Sequence, residues 1–199
     1  MNYLEYIIKM QSIAKIGLTY SKDEYAIQNY KEVQALSKEM LEKYLNQPIE
    51  KDNYFVRDVY PTPNIGTRVL IEYEGKFLFV REAQDHKYAI PGGWCDIFYN
   101  ARENAYNEVL QETGYEVELD RVLAVFHHNE YEEIKSSISV YSIIFSGKIV
   151  GGSSRTSHET DEVVFYSKEE IPELSTKITR KELDICLDVY YNNKNTYFD

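Results

Sequence analysis

The sequence predicts an α+β protein in which a helical hairpin precedes a domain built on a mixed β-sheet. Two patterns along the chain carry this prediction. Apolar residues recur every three or four positions over the N-terminal segment, which is typical of helices that bury one side. Further on, the period changes to two, and antiparallel hairpins are interleaved with helical segments. We therefore divide the chain into a hairpin over residues 1–50, a linker over 51–65 and a sheet domain over 66–199.

The N-terminal hairpin is predicted from two amphipathic stripes on either side of a turn at Thr19–Lys22. Ser21 and Glu24 have the spacing of a capping box that starts the second helix, which ends before Pro48. Such a hairpin alone would expose an apolar face to water, so we expect it to pack on the rest of the chain or on a second subunit. The stripes consist of Tyr3, Ile7, Met10, Ala14 and Gly17, then of Ala26, Tyr30, Val33, Ser37, Met40 and Tyr44.

Local signals define the elements of the sheet domain. Glu74–Gly75 separates two alternating runs, which predicts a β-hairpin. Asn100, with Glu103 three residues later, predicts the start of a helix, and Gly114 fits its C-terminal cap. The predicted strands are Arg68–Tyr73, Lys76–Arg81, Arg121–His128, Ile138–Ile149 and Glu162–Tyr166, with a loop at Gly151–Thr156 and helices over Asn100–Thr113 and Thr179–Tyr191.

The composition excludes several classes of function. The chain has 199 residues, 43% of them hydrophobic, which suits a packed core in one domain of ordinary size, or in one with a small appended piece. A formal net charge of −11 repels phosphate at long range, so we expect no nucleic-acid partner and no membrane binding. Cys95 and Cys186 lie far apart without a metal-ligand pattern. They favour reduced thiols in a cytoplasmic protein and no zinc site.

The residues that carry chemistry lie on and before the helix that starts at Asn100. Glu108 and Glu112 are four residues apart and share one helix face, with Gln111 beside them. Two neighbouring carboxylates repel each other unless a cation is present, and Mg²⁺ or Mn²⁺ prefers such oxygen ligands. By itself, this spacing is typical of a solvated helix face. The preceding Pro-Gly-Gly-Trp, whose glycines let backbone approach a ligand closely, favours a metal site that faces a phosphate.

The segment from Gly93 to Tyr115 resembles the Nudix box, whose pattern is G-x5-E-x7-R-E-U-x-E-E-x-G-U, with U a bulky aliphatic residue. The residues that match it are Gly93, Glu108, Val109, Glu112 and Gly114. Other positions depart from the pattern. Tyr99 replaces the first glutamate, Asn107 the arginine, Gln111 the first of the paired glutamates, and Tyr115 the last aliphatic residue.

The resemblance extends over nearly the whole chain. The segments Ile16–Asp23, Gly92–Ile97, Glu159–Val163 and Glu170–Ser175 are similar to a Nudix subfamily that includes CDP-choline and ADP-ribose pyrophosphatases. That subfamily tends to lack the first box glutamate, so Tyr99 fits it. The resemblance implies a Nudix α/β/α sandwich and a hydrolase that cleaves the pyrophosphate of a small nucleotide linked to another group. It also implies Mg²⁺ (or Mn²⁺) as cofactor and a homodimer formed through the N-terminal helices.

The resemblance further implies roles for individual residues. Glu108 and Glu112 would hold the metal with Gln111 as a neutral ligand, and Glu159 or Glu162 would act as the catalytic base. The implied substrate-binding residues are Arg68, Arg81, Gly92, Gly93 and Trp94. Because Gln111 brings no charge to the metal, an alternative is a catalytically impaired nucleotide-binding sensor on the same fold. A third hypothesis is a scaffold whose hairpin docks a protein partner.

Some of these side chains also have a structural interpretation. Arg68 and Arg81 can be surface charges of strands, and Trp94 can anchor its loop on the core instead of lining the pocket. His127 and His128 point to opposite faces of a strand, so they cannot easily bind one ion. Either they are solvent-exposed or one of them contacts substrate.

Overall fold

The structure of the chain, a computed structural model, describes residues 3–54, 63–132 and 139–199. These residues belong to two compact units, one within residues 1–61 and one within 62–199. The middle of the predicted linker, residues 55–62, lies outside the described residues. None of the helices in the described ranges is long and apolar enough to span a membrane.

The first unit is a hairpin of two helices, as the apolar stripes predict. Its elements are α1 (Tyr3–Tyr20) and α2 (Glu24–Leu45). Ile7, Ala14 and Leu41 are buried between them, and a Cβ atom on Gly17 would lie 2.3 Å from the ring of Tyr30. The helices therefore approach each other closely at a position that only glycine fits.

The start of α2 differs from the predicted one. Its N-cap is Asp23, whose carboxylate accepts a hydrogen bond from the Ala26 amide at 2.7 Å. Ser21, the predicted cap, instead accepts from the Asp23 amide at 3.3 Å in the turn. An aspartate caps as well as a serine, and its negative charge is favourable at a helix N-terminus.

A buried polar network fixes the packing of the hairpin. The Gln11 amide donates to Ser37 Oγ at 2.7 Å and to the Gln34 carbonyl at 3.0 Å. Its oxygen accepts from the Tyr54 amide at 2.9 Å, and Asn53 donates to the Gln11 carbonyl at 2.9 Å. Because unsatisfied buried amides are costly, this network specifies how the two helices and the segment after them align.

The second unit contains a mixed sheet with the strand order β3-β2-β1-β6-β5-β8, in which β4 pairs with β1 and β7 with β2. β1 runs parallel to β6 and β5 parallel to β8, while the other pairs are antiparallel. The strands are β1 (Asn64–Tyr73), β2 (Lys76–Glu82), β3 (Tyr88–Ala89), β4 (Gly92–Trp94), β5 (Tyr115–His127), β6 (Val140–Gly152), β7 (Thr160–Tyr166) and β8 (Tyr197–Phe198). The helices are α3 (Ala101–Thr113) and α4 (Arg180–Tyr191).

Helices cover both faces of the sheet, because alternate side chains of β1 pack in two different core clusters. Val69 and Ile71 pack in one core cluster with Val109 of α3. Leu70, between them, packs in the other cluster with Leu187 of α4. Successive strand residues point to opposite faces, so α3 and α4 lie on opposite sides of the sheet. The predicted α+β class and the α/β/α sandwich are therefore confirmed.

Several strand boundaries differ from the predicted ones. β5 begins at Tyr115 and not at Arg121, since Val117 and Leu119 face the core while the alternating acidic residues Glu116, Glu118 and Asp120 face solvent. β6 continues through Gly152, into the predicted loop. The predicted start of that strand at Ile138 lies outside the described residues.

The two helices of the sheet unit begin as predicted. Asn100 and Glu103 form a reciprocal capping box at α3, and Gly114 caps its C-terminus in the left-handed region with φ 74°. Thr179 and Glu182 form the same box at α4. These signals depend on residues a few positions apart, so the sequence alone identifies them.

His128 is buried, which contradicts the predicted solvent-exposed histidine. Its Nε2 lies 3.0 Å from the Thr176 carbonyl oxygen, which can only accept, so Nε2 carries a proton. Its Nδ1 lies 2.8 Å from Glu182 Oε1 at the start of α4. Burial acts to lower the pKa of His128, but the hydrogen bond and charge of Glu182 outweigh it and raise that pKa above 6.5.

We expect His128→Gln to destabilise the sheet unit by about 3 kcal/mol at pH 6, because it leaves the Glu182 carboxylate buried without its cation. Because the pKa of His128 is higher in the folded protein than in the unfolded chain, its pairing stabilises the folded state fully below about pH 6.5. This stabilisation is lost as pH rises through the folded pKa. The difference between wild type and variant in urea unfolding should therefore shrink at alkaline pH. The exposed His158 offers the control His158→Gln, and a pH-independent difference for His128→Gln would contradict the pairing.

Candidate active site

The candidate site is built around the contact between β4 and α3. The Gly92 amide donates a hydrogen bond to Glu112 Oε2 at 2.8 Å. The Glu108 carboxylate lies against Gly93, where a Cβ atom would stand 2.6 Å from Glu108 Oε2. The glycines predicted as a tight turn form a short strand against Gly66–Arg68, and both carboxylates lie against the backbone of this strand.

Arg68 lies beneath this contact and not in the open, where the sequence led us to expect it. It is 7% exposed, and its Nη1 donates to the carbonyls of Ile90 and Gly92 at 3.0 Å each. Burial lowers the pKa of Arg68, while the charges of Glu112 and other carboxylates oppose that change. Arg68 therefore supports the glycine strand and stabilises negative charge on the site from below.

The surroundings of the two box glutamates destabilise their ionised carboxylates. Glu112 is 3% exposed, and burial raises its pKa to about 7 against the opposing effects of Arg68 and the Gly92 amide. Burial also raises the pKa of Glu108, and the charge of Glu159 adds to that effect. A bound cation would relieve both costs.

This donor set fits a hard divalent cation. No three acidic, histidine or cysteine side chains of the described residues converge into a metal cage. Mg²⁺ commonly uses one or two carboxylates and completes its shell with water and substrate phosphate. Glu108 and Glu112 could supply those carboxylates, and Gln111, exposed on the same helix, could add a neutral oxygen.

The two predicted bases have different surroundings. The carboxylate of Glu162 accepts from Tyr88 at 2.8 Å and pairs with Arg81 at 3.0 Å, so it is already occupied. Glu159 is exposed, and its backbone is fixed by hydrogen bonds with Ala83 and Ser157. Glu159 is the loop carboxylate whose charge acts on Glu108, which favours it as the base.

The remaining predicted contacts also have defined places. Arg81 pairs with Asp161 at 2.6 Å and with Glu162, so it links β2 to β7. Trp94 is 53% exposed, which is more than a loop anchor requires and leaves the indole accessible. Tyr99 and Asn107, two of the departures from the box, line a cavity of about 630 Å³ whose lining includes neither box glutamate.

Two charged residues that the sequence does not single out, Glu82 and Lys177, lie near the box glutamates. Lys177 Nζ donates to Glu82 Oε2 at 2.6 Å. The positive charge of Lys177 lowers the pKa of both Glu108 and Glu112, against their raised values. Neither belongs to a local motif; the signal available in the sequence is that Glu82 follows the apolar run of β2.

The packing of Gly93 against Glu108 leads to a prediction about metal binding. A methyl group in Gly93→Ala must displace the Glu108 carboxylate, which can move because it ends a flexible side chain. We expect Mg²⁺ affinity, measured by calorimetry, to fall about tenfold to a hundredfold, with little change in the urea midpoint.

Gly92→Ala is the matched comparison for that variant. Its Cβ atom would lie 2.1 Å from the Thr67 carbonyl oxygen, and the residue has φ +147°, so the backbone itself must move. The urea midpoint should therefore fall clearly in Gly92→Ala. Wild-type Mg²⁺ affinity in Gly93→Ala would contradict the role of Glu108 as a metal ligand.

Comparisons with known proteins identify the family to which both units of the chain are similar. A model of the NUDIX domain matches residues 62–184, and a model described as the UDP-X-like N-terminal oligomerisation domain, Nudix_N, matches residues 1–53. A relative, the putative ADP-ribose pyrophosphatase YjhB of Bacillus subtilis (strain 168), is 32% identical over 201 residues, which cover 99% of this chain and 97% of the relative.

Solved structures of proteins with pyrophosphatase or diphosphatase names are also similar to this chain. The crystal structure of a UDP-X diphosphatase is similar with a TM-score of 0.70 and 26% identity, over 99% of this chain and 98% of that chain. An ADP-ribose pyrophosphatase from Streptococcus suis 89-1591 has a TM-score of 0.62 and 31% identity, over 69% of this chain and 100% of that chain.

Proposed function

The chain belongs to the Nudix hydrolase family, and from that premise we propose that it is a metal-dependent pyrophosphohydrolase. Its substrate would be a nucleoside diphosphate linked to another group, of the ADP-ribose or CDP-choline class. The names of the relatives, ADP-ribose pyrophosphatase and UDP-X diphosphatase, support the nucleoside diphosphate part. The observation that carries the proposal is the pair of box carboxylates, Glu108 and Glu112, held against the glycine strand.

The chemistry follows from the placement of these groups. Glu108 and Glu112, with the amide oxygen of Gln111, would hold Mg²⁺ or Mn²⁺. When bound, the cation neutralises phosphate charge and lowers the pKa of a nearby water. The absence of a side chain on Gly93 lets the diphosphate approach the backbone of β4 closely. Glu159 takes a proton from the attacking water.

Attack at one phosphorus breaks its bond to the bridging oxygen. The products are a nucleoside monophosphate and the phosphorylated second group. We propose that the exposed indole of Trp94, next to Gly93, stacks on the nucleobase and so positions the substrate. Arg81, in its ion pairs with Asp161 and Glu162, would support the loop that carries Glu159.

A phosphate-release assay with a coupled phosphatase tests the proposal. The substrates are ADP-ribose, CDP-choline and UDP-glucose, each with Mg²⁺ or Mn²⁺. We expect metal-dependent turnover of at least one of them. Binding of these nucleotides without turnover, by the folded protein, would overturn the hydrolase and leave the nucleotide-binding sensor, which the neutral Gln111 and the Asn107 substitution favour.

We also propose that the helical unit forms a homodimer in a cytoplasmic protein. The family model that matches this unit is described as an oligomerisation domain. Light scattering should then give about twice the chain mass of 23.4 kDa. The free Cys95 and Cys186 support a reducing compartment. The large apolar side chains exposed on the two helices of the unit are Tyr3, Tyr6, Ile13, Ile16, Tyr20, Tyr25, Leu36, Met40, Tyr44 and Leu45.

A further inference from the structure

The pair formed by Lys177 and Glu82 lies at the edge between the buried site and solvent. Glu82 is 6% exposed, and its Oε1 is buried without a hydrogen-bond partner among the described residues. Its Oε2 accepts from Lys177 Nζ at 2.6 Å, while the Lys177 side chain is 36% exposed. The acid is therefore fixed within the protein, and the ammonium that it holds can be reached from outside.

The backbone places this pair beside the box helix. β2 and β7 have an irregular register between Arg81 and Glu82, after which Glu82 lies opposite Thr160. The Thr160 hydroxyl donates to the backbone carbonyl of Glu112 at 3.0 Å. A strand residue next to Thr160 is thus close to the end of α3 that carries the box carboxylates.

The loop that supplies Lys177 is anchored at both sides of the residue. The buried Ser175 donates its amide to the Tyr88 carbonyl at 2.8 Å and accepts from the Lys177 amide at 3.2 Å. Ile178 is buried in the core that faces α4. Because the backbone is held on both sides of Lys177, its ammonium is confined to a small region, and this region includes the Glu82 carboxylate.

Two cations act on both box carboxylates, and they have different access to a ligand. Arg68 is buried and donates to backbone carbonyls, so it stabilises the carboxylates from beneath. Lys177 is partly exposed, and among the described residues its ammonium has one hydrogen-bond partner, Glu82. A diphosphate bound next to Glu108 and Glu112 brings negative charge that a flexible ammonium with three donors can meet.

We propose that Lys177 binds a phosphate oxygen of the substrate, and that Glu82 is the positioning residue that holds the ammonium in the site before substrate arrives. This inference rests on the proposed function. On binding, Lys177 turns one or more of its N–H donors from Glu82 to the phosphate, and the charge-assisted contact strengthens nucleotide binding.

The test measures the dissociation constant of ADP with Mg²⁺ by calorimetry, and KM and kcat for ADP-ribose. Lys177→Met should weaken ADP binding about tenfold or more and raise KM by a similar factor, with kcat changed less than about threefold. Lys177→Arg keeps the charge and should stay within about threefold of wild type. Lys168→Met, which removes a lysine from beside Tyr191, is the control for net charge.

A structural role is distinguished by removing both partners. Lys177→Met alone leaves Glu82 buried without its cation and should lower the urea midpoint, whereas Lys177→Met with Glu82→Gln should restore it. If Lys177 binds phosphate, the double variant regains stability but not ADP affinity. Recovery of wild-type affinity in the double variant, or an unchanged affinity in Lys177→Met, would overturn the inference.

The ADP measurement also separates this inference from the proposed function. If the wild type turns over no substrate, the hydrolase is contradicted. If ADP affinity nevertheless falls from wild type to Lys177→Met, the phosphate contact is still supported. A folded wild-type protein without affinity for ADP or ADP-ribose would contradict both.

Discussion

Glu112→Gln is expected to abolish turnover and, at the same time, to stabilise the metal-free protein at neutral pH. A catalytic cation contributes several kcal/mol of charge stabilisation, and each 1.4 kcal/mol is about a tenfold change in rate. Loss of an anionic ligand at the centre of the site should therefore lower kcat/KM by about a thousandfold or more. The amide oxygen of the new side chain can still accept from Gly92, so the glycine strand is retained.

The stabilisation follows from the pKa of Glu112. Burial raises it to about 7 from 4.5, so the folded protein binds more protons than the unfolded chain between these values. Stability of the metal-free wild type therefore falls as pH rises from about 4.5 to about 7 and stays low above that. The difference corresponds to about 3 kcal/mol, at about 1.4 kcal/mol for each tenfold change in proton affinity. A glutamine remains neutral and avoids this loss.

Urea unfolding at several pH values, with and without Mg²⁺, checks this prediction. Mg²⁺ should raise the midpoint of the wild type, because a ligand that binds only the folded state stabilises it, and should leave Glu112→Gln nearly unchanged. Glu118→Gln removes the same charge from an exposed position on β5 and serves as the control. Turnover within tenfold of wild type in Glu112→Gln would exclude Glu112 as a necessary ligand.

The parts of the site that the sequence predicts well depend on short-range signals. The helix α3, its capping box at Asn100 and its glycine cap at Gly114 are all set by neighbours within a turn. Glu108 and Glu112 then share one face because of helix geometry alone. For the same reason, the sequence alone predicts that the two carboxylates lie side by side on α3.

The parts that the sequence predicts poorly depend on strand pairing. Arg68 is buried because β4 adds to β1, which places the carbonyl of Gly92 over its guanidinium. Glu162 is occupied because the register of β2 and β7 sets it opposite Arg81. Lys177 and Glu82 meet from distant parts of the chain. No local pattern encodes these contacts, since a shift of one residue in register would send each side chain to the other face.

Arg68→Met is expected to destabilise the sheet unit by about 2–6 kcal/mol, because each of two buried carbonyls left without its donor costs about 1–3 kcal/mol. The variant leaves the carbonyls of Ile90 and Gly92 without their donor. It also removes the positive charge that opposes the raised pKa of Glu112 and Glu108. Methionine fills much of the same volume, so the lost packing is small compared with the lost hydrogen bonds and charge.

Arg68→Lys separates charge from geometry. A lysine keeps the cation but lacks the planar guanidinium, so it is not an equivalent donor to two carbonyls in fixed positions. We expect its urea midpoint to lie between those of wild type and Arg68→Met. Mg²⁺ affinity should fall in both variants, because the strand that carries Gly92 and Gly93 loses its support. If the free energy of unfolding of Arg68→Met lay within about 1 kcal/mol of the wild-type value, the glycine strand would not depend on Arg68. The positions of Glu108 and Glu112 would then have to be attributed to α3 alone.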